Sequence, residues 1–188
     1  MNFTPENVRE ISPCVFYSDD LIPQFDIECV NFLKQKAEHA SNRRARLCAH
    51  PSPESDHHTM LIAVSKDSLV PPHRHNNKVE TMTVIEGQAD ALFFNELGAV
   101  SNYIHMTTPQ LGGTFSYYMP TGIYHTIFPR SPWYIFIETT QGPFEDGGLE
   151  LPGWLPNLSD PETHSKWREN CESAISKLSE RSVFPTKE

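Results

Sequence analysis

Three histidines and one glutamate in this chain fall at spacings that let extended strands aim them at a single point. His73 and His75 stand at i and i+2 in Pro72-His73-Arg74-His75, Glu80 follows, and His125 closes Pro120-Thr121-Gly122-Ile123-Tyr124-His125. Residues two apart on a strand share a face, so His73 and His75 point the same way. Asn76-Asn77-Lys78 can bend the chain and return Glu80 beside them. Imidazoles with one carboxylate suit a divalent transition metal such as Fe, Mn, Ni or Zn better than Ca²⁺ or Mg²⁺, which prefer oxygen ligands. The bland reading is a polar network without metal. Such groups facing a core are costly unless paired, and a metal ion is the economical partner. Four protein ligands leave about two exchangeable positions on an octahedral ion, enough for a substrate oxygen or for O₂.

Fixed positive charge lies upstream, in Arg44, Arg46 and His50. These are candidates to line the same pocket and hold an anionic or hydroxylated ligand, because Arg offers carboxylate or phosphate a rigid fork. A solvated loop entering the first strand is the alternative. Glu138 follows the apolar run Tyr134-Ile135-Phe136-Ile137. A carboxylate there needs a partner unless it faces outward. Arg44 or Arg46 would serve, as would a metal-bound imidazole that Glu138 orients. Met82 shares a strand face with Glu80 and is a candidate lining residue. Tyr117 and Met119 join it if their strand faces inward, and Tyr117 is then a candidate donor to a bound ligand. His57 and His58 read as strand-edge or surface residues, His105 as structural, and His39 and His164 as solvent-facing on helices. No dedicated general base stands out, so no catalytic residue is assigned.

The elements that must position these groups are mostly strands. Met60-Leu61-Ile62-Ala63-Val64 is a short buried run. Thr81 to Ile85 ends at the turn signal Glu86-Gly87, and Ala89 to Phe94 reads as its hairpin return. Tyr103–Met106, Thr114–Met119, Tyr124–Phe128 and Tyr134–Glu138 supply further strands. Short strands separated by Gly, Pro and Asn turns point to a sandwich or barrel. Residues 1–43 form an N-terminal extension. In it Ile27, Val30, Leu33 and Ala37 recur at helical spacing behind a capping Asp26, and the helix packs its stripe on the outside of a sheet. Residues 44–144 form the β-barrel. Residues 145–188 form a C-terminal extension, starting with the irregular segments Glu145-Asp146-Gly147-Gly148 and Leu151 to Pro156. A helix follows Asp160-Pro161-Glu162, and its stripe of Trp167, Cys171, Ala174, Ile175 and Leu178 covers a barrel end or a partner subunit.

These motifs carry a family resemblance. His73-x-His75, Glu80 and Gly87 resemble the first metal motif of the cupins, and Pro120-x-Gly122-x-x-His125 the second. Arg44-x-Arg46-x-x-x-His50-Pro51, Pro71-Pro72-His73-Arg74-His75 and Glu138-x-x-x-Gly142-Pro143-Phe144 narrow the match to the WbuC-type cupin metalloproteins. The resemblance covers roughly Arg44 to Phe144. It implies a mainly β jelly roll, the double-stranded β-helix, with His73, His75, Glu80 and His125 on one divalent transition metal. It also implies a link to surface-polysaccharide metabolism, and by analogy a homodimer. Two positions depart from the pattern. Asp67 replaces the glycine that usually opens the first motif, and Asp also tolerates a tight turn. Pro129 replaces an Asn that is no metal ligand, and marks the end or the edge of the strand carrying His125.

Composition sets the outer bounds. A chain of 188 residues with 38% hydrophobic content suits one domain with terminal extensions. A net charge of −9 and a pI near 5.4 argue against nucleic acid as a partner. The N-terminus lacks the pattern of a signal peptide. Leu97 to Pro129 carries no Asp, Glu, Lys or Arg, but its prolines, glycines and hydroxyls exclude a membrane helix. Cys14, Cys29, Cys48 and Cys171 form no disulfide framework and read as reduced thiols of a cytoplasmic protein. The expected function is a metal-binding cupin that acts on or holds a small polar ligand, a sugar derivative or an anionic metabolite. Isomerase or epimerase chemistry, a metal-dependent dioxygenase, a non-catalytic ligand-binding module and a closed structural metal site are the readings to separate.

Overall fold

A computed structural model describes residues 4–144 and 148–183. The reading of Glu145-Asp146-Gly147 as irregular chain, and that of the first three residues, lie outside the described residues. Two short strands, β1 (Val8–Ser12) and β2 (Val15–Ser18), precede the first helix, α1 (Ile27–His39). The sequence analysis assigned neither strand. Then come β3 (Arg44–Cys48), β4 (His57–Ser65), β5 (Arg74–His75), β6 (Glu80–Glu86), β7 (Ala89–Phe94) and β8 (Val100–Met106). The chain continues through β9 (Ser116–Met119), β10 (Tyr124–Pro129), β11 (Trp133–Gln141) and β12 (Leu149–Glu150) to α2 (Pro161–Val183).

The strands form a seven-stranded sheet, β1-β2-β3-β4-β11-β6-β9, a three-stranded sheet, β10-β7-β8, and the small pair β12-β5. The two larger sheets face each other without hydrogen-bonding into a closed barrel among the described residues. β2 and β3 are parallel, and α1 is the crossover that a parallel pair needs.

Strand alternation sorts the seven-stranded sheet into two faces. Ala45, Leu47, Leu61, Ala63 and Ile135 point outward and meet Val30, Leu33 and Ala37 of α1 in one core. Asp26 caps that helix, accepting hydrogen bonds from the Glu28 and Cys29 amides at 3.0 and 3.1 Å. Ile27, expected in the buried stripe, is exposed, and Cys29 is buried there. The opposite face of the sheet carries four parallel rows, the first of them Arg44, Val64 and Tyr134. Arg46, Ile62, Phe136 and Val84 form the second. Cys48, Met60, Glu138, Met82 and Tyr117 form the third, and His58, Thr140, Glu80 and Met119 the fourth.

The same period works on β10. His125 and Ile127 face the seven-stranded sheet, while Tyr124 and Phe128 join Leu92 and Phe94 against Cys171 and Ile175 of α2. The C-terminal helix thus covers the outer face of the three-stranded sheet. That position is a sheet face, whereas a barrel end was one of the two places expected for it. β10 ends at Pro129 and is an edge strand, so both readings of that proline apply.

Candidate metal centre

Backbone pairing brings the four ligand candidates together. The His73 amide donates to the His125 carbonyl at 3.0 Å, and the His125 amide returns the bond at 2.9 Å. Side chains of such directly opposed residues lie side by side, and these two rings are 4.6 Å apart. The Gly122 amide donates to the His75 carbonyl at 2.8 Å. Gly122 holds φ at +79°, where a side chain is strained, which explains the glycine of the second motif. β12 pairs with β5 and fixes the other side of His75. Glu80 opens β6 on the inner face. Its Oε1 is 3.2 Å from His75 Nε2 and its Oε2 3.4 Å from His125 Nε2.

The other ring nitrogens decide the chemistry. His73 Nδ1 faces the Pro71 carbonyl at 2.9 Å, His75 Nδ1 that of Gly148 at 3.0 Å, and His125 Nδ1 that of Ile123 at 2.9 Å. A carbonyl can only accept, so each Nδ1 carries the proton. In the neutral rings Nε2 is then a lone pair, and those of His75 and His125 face carboxylate oxygens. Acceptor against acceptor is unfavourable unless the rings are protonated or a cation lies between them.

Burial, and then the neighbouring His125, push His73 down to about 4, so it is neutral at physiological pH. His75 is raised, first by its hydrogen bond to Glu80. Burial works to raise the Glu80 carboxyl, but its hydrogen bonds to His125 and His75 outweigh burial and hold it well below the usual range. The donor set and the carbonyl-fixed rings fit a transition metal. Among the described residues no three His, Cys, Asp or Glu side chains are drawn in tightly enough to form a ready metal sphere. The imidazole–carboxylate contacts occupy that place.

The cluster lies on one wall of a cavity of about 660 Å³ between the sheets. Arg44, Arg46, His50, Glu138 and Met82 all line it. Tyr117 and Met119 are not among its lining residues. Tyr117 packs edge-on to Phe93, 6.0 Å away. Its strand is the outermost of the sheet, so β7 covers it before the cavity is reached. His50 lines the cavity as a neutral imidazole, because burial and then His58 push it down to about 4. It adds no fixed positive charge.

His58 is buried and stacked on His50 at 4.0 Å, which corrects its reading as a surface residue. The alternation His58, Met60, Ile62, Val64 along β4 carried the signal for this. His57 and His39 are exposed, as expected. His105 accepts a structural role, 2.6 Å from Asp90. His164 is half-buried beside Trp167 rather than solvent-facing. Glu138 does not pair with Arg44 or Arg46 within 4.0 Å, and it faces the cavity rather than bulk solvent. Burial and the Glu80 charge raise its carboxyl well above the ordinary range. Lys78, seen in the sequence only as part of a bend, lines the cavity with its ammonium on the Pro143 carbonyl at 2.7 Å.

Comparison with known proteins adds to this geometry. A family described as Domain of unknown function (DUF6016) matches residues 25–106. No curated protein matches the sequence. A solved structure of CapF with the inhibitor 3-isopropenyl-tropolone is similar, with a TM-score of 0.50 and 13% identity over 60% of this chain and 32% of that one. The chain therefore spans about a third of CapF. A cupin 2 conserved barrel domain protein from Rhodopseudomonas palustris matches with a TM-score of 0.46 and 13% identity, over 71% of this chain and 77% of that one. A double-stranded beta-helix protein from Klebsiella pneumoniae subsp. pneumoniae matches with a TM-score of 0.46 and 18% identity, over 60% and 81%. Among the described residues no helix is long and apolar enough to cross a membrane. Two facing sheets, with paired strands bringing the motif residues to one inner wall, give this chain a mainly β, double-stranded β-helix fold.

Proposed function

We propose that this chain is a WbuC-type cupin that binds one divalent transition metal through His73, His75, Glu80 and His125 and works on a small ligand held in the adjoining cavity. The observation that carries the reading is the set of three Nδ1–carbonyl contacts, which turn the Nε2 lone pairs of His75 and His125 onto the Glu80 carboxylate. A cation between them relieves that opposition. When bound, the ion supplies a Lewis acid for a ligand carbonyl or hydroxyl oxygen.

The chain's own residues supply the rest. The backbone carbonyls of Pro71, Gly148 and Ile123 orient the rings. Met60, Met82 and Phe136 keep water off the cluster's open side. Glu138, raised by burial and by the Glu80 charge, holds a proton in the same cavity and is the residue best placed to give or take one during turnover. This favours a proton-transfer enzyme, an isomerase or epimerase, over ligand capture without turnover.

The test is metal content in protein purified without an affinity-tag metal. The wild type should carry one equivalent, and His75→Ala and Glu80→Gln, with unchanged circular dichroism, should carry less than a tenth of that. A metal-free wild type, or variants that keep the full equivalent, would refute the metal reading. Glu138→Gln should retain the metal and lose turnover once a substrate is found.

A further inference from the structure

The cavity has two ends of unlike chemistry and an apolar middle. At the end away from the histidines, Arg44 and Arg46 project from β3. Arg46 Nε is buried with no hydrogen-bond partner. Among the described residues neither guanidinium has a carboxylate within 4.0 Å. Arg74 also has a buried Nε without a hydrogen-bond partner, but its terminal nitrogens, like those of Arg130, hold carboxylates. Arg74 holds Glu96 and Glu150, and Arg130 holds Asp90 and Glu172. A guanidinium drawn out of water without an anion is costly, and a ligand that brings the anion removes the cost.

The middle of the cavity is walled by Met60, Ile62, Val64, Met82, Ile127 and Phe136. Its hydroxyls are already engaged: Thr126 donates to the Val70 carbonyl and Thr140 to that of Val79. Glu138, between Met60 and Met82, can pair with one hydroxyl, but a polyhydroxylated ligand would bury its others there without partners, at a cost for each. β3 and β6 are three strand positions apart in the sheet. That is about 14 Å across the sheet at the usual strand spacing, and the Arg46 row also lies two rows, about 13 Å along the strands, from the Glu80 row, so the two ends are well separated.

We propose that the cavity takes a small carboxylic acid with an apolar body, its carboxylate on Arg44 and Arg46 and its far end toward the histidine cluster. The metal reading is needed only for the far end, where a ligand oxygen would meet the ion. The carboxylate end stands on the unpaired arginines alone. This specifies an apolar acid where the family resemblance pointed to a sugar.

The experiment is calorimetric titration of the full-length protein with three six-carbon probes: hexanoate, glucuronate and 1-hexanol. Metal content is measured on the same samples. Hexanoate should bind at least tenfold more tightly than glucuronate, which shares its charge, and than 1-hexanol, which shares its body. Arg46→Gln and Arg44→Gln should each weaken hexanoate roughly 10–100-fold, the effect of losing a charge-assisted hydrogen bond. Without ligand they should melt no lower than the wild type, because each removes a half-buried charge that has no carboxylate within 4.0 Å among the described residues. Glucuronate or 1-hexanol binding as well as hexanoate, hexanoate affinity unchanged in both variants, or a markedly lower melting temperature in both would overturn the proposal. Protein without metal that still shows the hexanoate preference would sink the metal reading and leave this one standing.

Discussion

Removing and restoring the metal probes the reasoning about the His/Glu cluster most directly. In the metal-free protein His75 is raised by its hydrogen bond to Glu80, and that contribution is complete below the unfolded value of about 6.5 and lost as pH rises through the folded one. Glu80 is held low, so its contribution is present above the unfolded value of about 4.5 and lost as pH falls through the folded one. The pair therefore stabilises the metal-free fold most between about pH 4.5 and 6.5. His73, pushed down to about 4, works in the opposite sense: its contribution is lost as pH falls from about 6.5 toward 4.

A metal ion needs the Nε2 lone pairs, so its binding competes with the His75 proton and strengthens as pH rises. Free metal at one hundred times its dissociation constant adds about 2.7 kcal/mol. For a chain of this size that raises the melting temperature by about 5–10 °C. Differential scanning fluorimetry of chelator-treated protein at pH 6 and pH 8, with Mn²⁺, Fe²⁺, Co²⁺, Ni²⁺ or Zn²⁺, should show this rise, larger at pH 8. His75→Ala should abolish it. No shift with any of the five metals, a larger shift at pH 6, or an undiminished shift in His75→Ala would refute the argument built on the ring nitrogens.

Three further outcomes concern the frame. Leu33→Ala, which opens a cavity between α1 and the sheet where Leu33 is fully buried, should cost about 2–5 kcal/mol in urea unfolding without changing metal content. Gly87→Ala should be strongly destabilising by the same assay, because Gly87 has φ of +82° and an added Cβ would come within 2.0 Å of the Trp133 carbonyl oxygen. Arg130→Ala leaves the buried Asp90 carboxylate with only His105 as its ionic partner and detaches Glu172 of α2, and should cost about 2 kcal/mol, the scale of a lost hydrogen bond to a charged group. Glu172→Gln leaves Asp90 paired and should cost under about 1 kcal/mol.

Short-range pattern carried much of this protein. Ala89–Phe94 is a strand with the bounds read from the sequence, and Asp26 caps the helix whose stripe named Val30, Leu33 and Ala37. Both follow from spacing and local hydrogen bonding within a few residues. The four ligand candidates were legible for the same reason, since i and i+2 on a strand share a face wherever that strand is placed.

What no local pattern held was register and layer order. Val8-Arg9-Glu10-Ile11-Ser12 is short, polar and at a sheet edge, so it has little alternation to read, and only pairing with β2 makes it a strand. Tyr117 falls in the same row as Met82, yet β7 covers it, so its sequence phase says nothing of the cavity. The Gly148 carbonyl that fixes His75, and the lack of a hydrogen-bond partner for the buried Arg46 Nε among the described residues, depend on segments far apart in the chain meeting in space. Residue types and spacing determined which groups could act. Tertiary packing decided which of them lose water, which find partners and which are left facing the cavity without one.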